Sequence, residues 1–108
     1  MEVSTQLAIN LPMPALEEFC QRWQIQELAV FGSVLRDDFS ASSDVDFLYI
    51  LMPNVFWGLA DLIKAEDELA KIMGRRVDLV SQKSIQKSHN WLRRKNILST
   101  AKIIYVQK

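Results

Sequence analysis

The residues of this sequence best suited to chemistry are three aspartates. Asp44 and Asp46 flank one valine at the beginning of an apolar run, and Asp78 interrupts a second such run. Side chains alternate across a β-strand, so the first two carboxylates would project from the same side, where their charges repel each other. Divalent cations offset such repulsion and need oxygen ligands, and Mg²⁺ is the natural occupant. The pair therefore predicts a metal site.

Asp78 stands between Val77 and Leu79, in what should be a buried strand, where a lone carboxylate would be costly. If this strand lies beside the strand of Asp46, the carboxylates form a trio. Two metal ions about 4 Å apart, bridged by such a trio, can hold the attacking and leaving oxygens of an in-line phosphoryl displacement. We expect Asp44 and Asp46 to bind both ions, and Asp78 to bind the ion on the acceptor side and accept the hydroxyl proton.

A Gly-Ser pair lies ten residues before the first aspartate and is suited to bind phosphate. Gly32 lets the backbone approach an anion closely, and Ser33 offers a hydroxyl and an N–H group. The helix predicted to begin at Val34 would point further N–H groups at the anion. Arg36, one turn on, can pair with a phosphate oxygen, and a surface pair with the aspartates that follow it is the alternative.

These residues need a sheet that brings two strands together beside a turn. The periodicity of apolar residues and the turn signals predict alternating helices and strands. The predicted fold is α/β (α+β), a small mixed β-sheet of about four strands with flanking helices, and residues 1–108 form one domain because no repeat or linker interrupts them. The predicted helices are Leu16–Trp23, one from Val34, Trp57–Met73 and Trp91–Leu98, and the predicted strands are Glu27–Phe31, Val45–Leu51, Arg75–Val80 and Lys102–Val106.

The order Gly32-Ser33, a spacer, Asp44-Val45-Asp46 and a later Asp78 resembles the nucleotidyltransferase superfamily typified by DNA polymerase β. A closer resemblance runs from about Val30 to Val106 and looks like the minimal nucleotidyltransferase antitoxins. It rests on Phe31-Gly32-Ser33-Val34-Leu35-Arg36, Ser43-Asp44-Val45-Asp46-Phe47-Leu48, Asp67-Glu68-Leu69 and Gly74-Arg75-Arg76-Val77-Asp78-Leu79-Val80. One departure is that Asp37 and Asp38 follow Arg36, where many relatives carry glycine.

Membership of that family implies a polymerase β-like fold and an enzyme that transfers AMP from ATP, with two Mg²⁺ ions, to a tyrosine of a partner HEPN ribonuclease toxin. It also implies that Asp44, Asp46 and Asp78 bind metal and are catalytic, and that Gly32, Ser33 and Arg36 bind the nucleotide. Two alternatives stay open. The chain could neutralise the toxin by occlusion without chemistry, or transfer a nucleotide to a small molecule or RNA.

Composition narrows these alternatives. Lys plus Arg and Asp plus Glu both number 13, so no overall positive field favours nucleic acid. No apolar run approaches the roughly 20 residues that span a bilayer, and the first residues lack the pattern of a leader, so we expect a cytoplasmic protein without membrane contact. A chain of 108 residues is short for enclosing both nucleotide and acceptor, so we expect a partner protein to supply the acceptor.

The remaining candidates have simpler readings. Cys20 has no second cysteine to pair with and is expected to be a buried small hydrophobic residue, and His89 is expected at the surface without a role. Trp57 and Trp91 suit either core packing or a partner interface. Several basic residues could touch a nucleotide or a partner, although solvated faces commonly look the same: Arg75, Arg76, Lys83, Lys87, Arg93, Arg94 and Lys95.

Overall fold

The computed structural model describes residues 11–32 and 44–107, which contain four helices and four strands. The predicted α/β class with a four-stranded mixed sheet is confirmed, while the helix predicted from Val34 lies outside the described residues. A short helix in the predicted polar segment after the third strand was missed. The helices are α1 (Met13–Arg22), α2 (Leu59–Met73), α3 (Gln82–Gln86) and α4 (Trp91–Thr100), and the strands are β1 (Ile25–Phe31), β2 (Val45–Leu51), β3 (Val77–Ser81) and β4 (Lys102–Val106).

The four strands form one sheet in the order β3-β2-β1-β4. β1 is antiparallel to both β2 and β4, whereas β2 and β3 are parallel and are joined through α2. In this register Asp46 lies opposite Phe31 of β1 on one side and opposite Asp78 of β3 on the other. The two apolar runs that contain the predicted site residues are therefore neighbours in the sheet.

The two faces of the sheet carry separate hydrophobic clusters. On one face, α1 and α2 pack Phe19 and Leu69 against strand residues that include Val45 and Phe47. On the other face, α3 and α4 contribute Ile85 and Ile97 to a smaller cluster. Its strand residues are Ala29, Phe31 and Leu48. Because β2 alternates, Asp44 and Asp46 lie on the same face as Leu48, the face that α3 and α4 cover only in part.

Two further predictions concern residues of the larger cluster. Cys20 is buried and free, as expected, and its burial raises the pKa of the thiol to about 12. Trp57 packs edge-on against Trp23, with ring centroids 5.5 Å apart, and lies 4.8 Å from the ring of Tyr49. Trp57 therefore belongs to the core packing, whereas Trp91 is exposed.

Glu68 of α2 joins the first two helices. Its carboxylate accepts hydrogen bonds from the Arg22 guanidinium, at the end of α1, and from the indole Nε1 of Trp23, which is 2.9 Å away. The hydrogen bond from Arg22 is the main cause that lowers the pKa of the Glu68 carboxyl, and Trp23 adds to it. The contact thus fixes the angle of α1 against α2.

This link predicts a pH dependence of stability. Because the pKa of Glu68 is lower in the folded than in the unfolded chain, its contribution is present above the unfolded pKa and disappears as the pH falls through the folded pKa. We therefore expect Glu68→Gln to lower the midpoint of urea unfolding at pH 7 and to differ less from the wild type at acidic pH. An Asp67→Asn control changes an exposed carboxylate of the same helix. A constant difference at all pH values would contradict the assignment.

Candidate active site

The three predicted carboxylates lie at one end and on one face of the sheet. Asp44 precedes β2 directly, Asp46 is the second residue of β2, and Asp78 is the second residue of β3. Asp46 and Asp78 are opposite each other in the parallel pair, where neighbouring strands are about 4.8 Å apart. The condition set by the sequence, that the third strand lie beside the second, is therefore met.

Gly32 closes the same end of the sheet directly after β1. Its φ of +81° is a left-handed conformation that side chains disfavour. A Cβ atom at this position would also clash with Oδ2 of Asp46 and lie 3.4 Å from its Cγ. The φ thus favours glycine, a Cβ would have to displace the end of the Asp46 side chain, and the backbone of the turn lies directly against that carboxylate.

Asp44 is held by an ion pair that the sequence did not indicate. Its Oδ1 lies 3.2 Å from Nε of Arg76, and the N–H of the next residue, Val45, donates to the Arg76 carbonyl. The parallel register therefore places Arg76 beside the candidate site, where its side chain stays 82% exposed while it pairs with Asp44. Its guanidinium supplies positive charge where the carboxylates accumulate negative charge.

Glu66 is a second residue that sequence reasoning missed. Its Oε2 accepts a hydrogen bond of 2.9 Å from the backbone N–H of Leu79, the residue after Asp78. Among the described strands β3 lies at the edge of the sheet, and this carboxylate from α2 bonds the strand on the side away from β2. The sequence offered one signal for this contact. Glu66 lies at helical spacing from apolar residues of α2, on the partly buried side of the helix.

Among the clefts on the described part of the chain, two help to locate the site. One, of about 650 Å³, adjoins Gly32 and lies between the end of β1 and the last turns of α4, with Asn96, Ser99 and Thr100 on its wall. The other, of about 730 Å³, lies beyond the opposite ends of β2 and β3 and is lined by Tyr49 and Phe56 among others. The larger cleft contains none of the predicted site residues, and the smaller one contains Gly32 but none of the three carboxylates.

Ser33 and Arg36, predicted to bind phosphate, lie outside the described residues. Within the described ranges, no three or more His, Cys, Asp or Glu side chains are gathered closely enough to hold a metal ion as they stand. His89 is exposed, as predicted. No helix of the described segments is long and apolar enough to cross a membrane. The described features are thus three carboxylates that share one face without closing into a metal cluster, Gly32 against one of them, and the cleft that adjoins Gly32.

Comparison with known proteins decides which family this arrangement belongs to. Residues 13–104 match the family described as the nucleotidyltransferase domain. The chain belongs to the nucleotidyltransferase domain family. The match spans the described residues of the candidate site, the first three strands and the beginning of β4, so the resemblance drawn from the residues is confirmed, as is the prediction of an enzyme of the nucleotidyltransferase class.

Individual nucleotidyltransferases show the same likeness in sequence. The protein adenylyltransferase MntA of Thermococcus cleftensis is 35% identical over 72 residues, which cover 65% of this chain and 69% of that protein. A provisionally named protein adenylyltransferase of Methanocaldococcus jannaschii is 31% identical over 76 residues, or 70% of this chain and 73% of its relative. The shared region is most of each chain.

Solved nucleotidyltransferase structures show the same fold. A toxin–antitoxin complex with AMP-PNP superposes with a TM-score of 0.68 at 16% identity, and the match covers 91% of this chain and 76% of the other. A complex of a tri-AMPylated HEPN toxin of Shewanella oneidensis with its MNT antitoxin gives 0.59 at 16% identity, with coverage of 87% and 69%. At these identities the likeness supports the fold alone.

Proposed function

We propose that this chain is an antitoxin that transfers AMP from ATP to a hydroxyl, that of a tyrosine, on a partner HEPN ribonuclease toxin and thereby neutralises it. The observation that carries the proposal is the convergence of Asp44, Asp46 and Asp78 on one face, with the Gly32 backbone against the Asp46 carboxylate. A structural trio of this kind would concentrate negative charge at the end of an apolar sheet without benefit to the fold.

The named relatives favour this choice of substrate and partner. Two of them are called protein adenylyltransferases, and one of the similar structures holds an AMPylated HEPN toxin together with an MNT antitoxin. Another holds the ATP analogue AMP-PNP in a toxin–antitoxin complex. ATP as donor and a protein as acceptor are therefore the first reaction to test on this chain.

The donor set fits magnesium. Asp44, Asp46 and Asp78 offer carboxylate oxygens, the ligand type that Mg²⁺ prefers, and two of them face each other across neighbouring strands. We infer that Asp44 and Asp46 would hold two ions and that Asp78 would hold the one nearer the acceptor. When bound, the ions supply charge neutralisation for the phosphates and a lower pKa for the attacking hydroxyl.

The chain's own residues supply orientation and proton transfer. The Gly32 turn brings the backbone close to the triphosphate. We propose that Ser33 and Arg36 bind its phosphates, as the sequence predicts. The acceptor oxygen attacks the α-phosphorus, the bond to the β-phosphate oxygen breaks, and pyrophosphate leaves. The exposed carboxylate of Asp78 accepts the hydroxyl proton. The cleft beside Gly32 has room for another part of the nucleotide.

The ion pair between Arg76 and Asp44 predicts a change in metal requirement. Because the guanidinium competes with a cation for the Asp44 carboxylate, Arg76→Gln is expected to lower the magnesium concentration for half-maximal activity by about two- to fivefold, the range for an exposed pair. A titration of activity with MgCl₂ measures the shift. Arg93→Gln, at an exposed arginine that forms no ion pair with a described residue, is the control. An unchanged or higher requirement would contradict the competition.

Intact mass spectrometry of the partner toxin tests the proposed function. The toxin is incubated with this protein, MgCl₂ and ATP, alongside an Asp44→Asn variant. We expect the toxin to gain the mass of one or more AMP units with the wild type and none with the variant, and peptide mapping to place the adduct on tyrosine. No gain with any of the four ribonucleoside triphosphates, despite a stable complex, would favour neutralisation by occlusion.

A further inference from the structure

The charge of this chain is distributed unevenly. Although acidic and basic residues balance overall, no Asp or Glu follows Asp78 in the sequence. The described residues from 79 to 107 therefore carry positive charge alone, and none of these side chains forms an ion pair with another described residue. The basic residues of this part are Lys83, Lys87, Arg93, Arg94, Lys95 and Lys102. α3 and α4 cover part of the face of the sheet that carries the three carboxylates, and these two helices therefore present a basic surface to solvent.

α4 combines this charge with exposed apolar area. Ile97 is its one buried residue, whereas Trp91 is 61%, Leu92 55% and Leu98 36% exposed. At 100° per residue, these three side chains and Lys95 lie within an arc of about 120°, on the side away from Ile97. We call these four residues the α4 surface. Large apolar side chains clustered on an exposed helix face are typical of a binding surface.

The α4 surface lies where a protein that brings an acceptor would have to sit. Ile97 packs against Ala29 and Phe31, so α4 covers the same face as the carboxylates. α4 then leads into β4, whose Lys102 lies opposite Val30, one residue before Phe31 and two before Gly32. The last turn of α4 thus adjoins Gly32 at the carboxylate end of the sheet, and a protein seated along α4 would lie beside that end.

We propose that the α4 surface is the docking site for the toxin and that it fits an acidic patch around an apolar pocket on that partner. The inference rests on the proposed function and adds where the partner binds. The apolar side chains surround Lys95, and Arg94 borders them while its Nη1 donates to the Ser88 carbonyl. Charge complementarity would steer the encounter, and the apolar residues would hold the complex. The two leucines favour a protein over RNA, because they offer bases neither a stacking face nor a hydrogen bond.

Affinity measurements on variants test this site. Leu92→Asp introduces charge at an exposed position of the first turn of α4, where an acidic side chain suits the helix, so folding is preserved. We expect it to weaken toxin binding by about tenfold or more, as for a central apolar contact. Lys95→Glu is expected to weaken binding and to reduce the dependence of affinity on salt.

Matched controls are available on α2, which covers the opposite face. Ile63 is 57% exposed, close to the value of Leu92, and its neighbour Lys64 is an exposed lysine. Ile63→Asp and Lys64→Glu should leave the affinity for the toxin within about twofold, and thermal unfolding of all four variants verifies that each is folded.

The outcomes separate this inference from the proposed function. If the wild type binds and modifies the toxin but the α4 variants bind equally well, or the α2 variants alone lose binding, the α4 site is wrong and the function stands. If the wild type binds no toxin, both fail. If Lys95→Glu abolishes binding of a single-stranded RNA oligonucleotide and leaves toxin affinity unchanged, the surface binds RNA, and the protein-docking inference is overturned.

Discussion

Replacement of Asp46 by asparagine is expected to reduce the single-turnover rate of AMP transfer by about 10³-fold, because a bound metal stabilises the transition state by several kcal/mol and about 1.4 kcal/mol equals a factor of ten. Asparagine keeps the size of the side chain and removes the charge. Within β2, the next side chain on the same face is Leu48, which is apolar, so the strand offers no second carboxylate in place of Asp46.

The same substitution distinguishes chemistry from occlusion. A double variant, Asp44→Asn with Asp46→Asn, should still bind the toxin, since neither residue belongs to the α4 surface, yet it should fail to restore growth of cells that express the toxin. An Asp67→Asn control, at an exposed position of α2, should restore growth. Restored growth with the double variant would mean that binding is sufficient for neutralisation and that the transfer of AMP is dispensable.

Gly32→Ala should lose both stability and activity. The left-handed φ of +81° costs about 1–3 kcal/mol for a residue with a side chain. The added Cβ must also displace the Asp46 carboxylate, and a displacement of about 1 Å at a catalytic group can lower the rate by about 10²-fold. Urea unfolding and single-turnover kinetics on one preparation measure the two effects.

Gly74 provides the control that separates these causes. It ends α2 with a similar φ of +72°, but a Cβ at that position would meet nothing within 4 Å. Because the φ is similar, Gly74→Ala should cost a similar amount of stability, about 1–3 kcal/mol, and leave the rate of AMP transfer unchanged. If both alanine variants lost activity to the same extent, backbone strain would explain the loss, and the close approach of Gly32 to Asp46 would have no part in it.

The residues that could be predicted are those with a local signal. Asp78 stood out because it interrupts an apolar run, and Gly74 because a helical pattern stops there. The pairing of Asp44 with Arg76 had no such signal, because it depends on the register between two strands far apart in sequence. Phosphate binding by Ser33 and Arg36 stays a prediction.

The sequence did not predict the elements and boundaries that depend on single contacts instead of a periodic pattern of apolar residues. α3 is five residues long, too short for a helical pattern, and is defined by a hydrogen bond from the Ser84 N–H to the Ser81 hydroxyl and by burial of Ile85. β1 begins at Ile25, two residues earlier than predicted, because Gln24 turns the chain with a positive φ of 59°. A glutamine gives no indication of such a turn.

The hydrogen bond between Glu66 and the Leu79 N–H affects whether β3 can pair with the strand of another molecule. An exposed edge strand is a template for aggregation, because its outward N–H and carbonyl groups can pair with any extended polypeptide. On β3 the N–H of Leu79 is already bonded to a carboxylate, and a charged group stands where an incoming strand would lie. An invading strand would have to desolvate that charge and forgo one ladder bond. The carboxylate end can thus remain accessible to an acceptor hydroxyl without inviting fibre-like association.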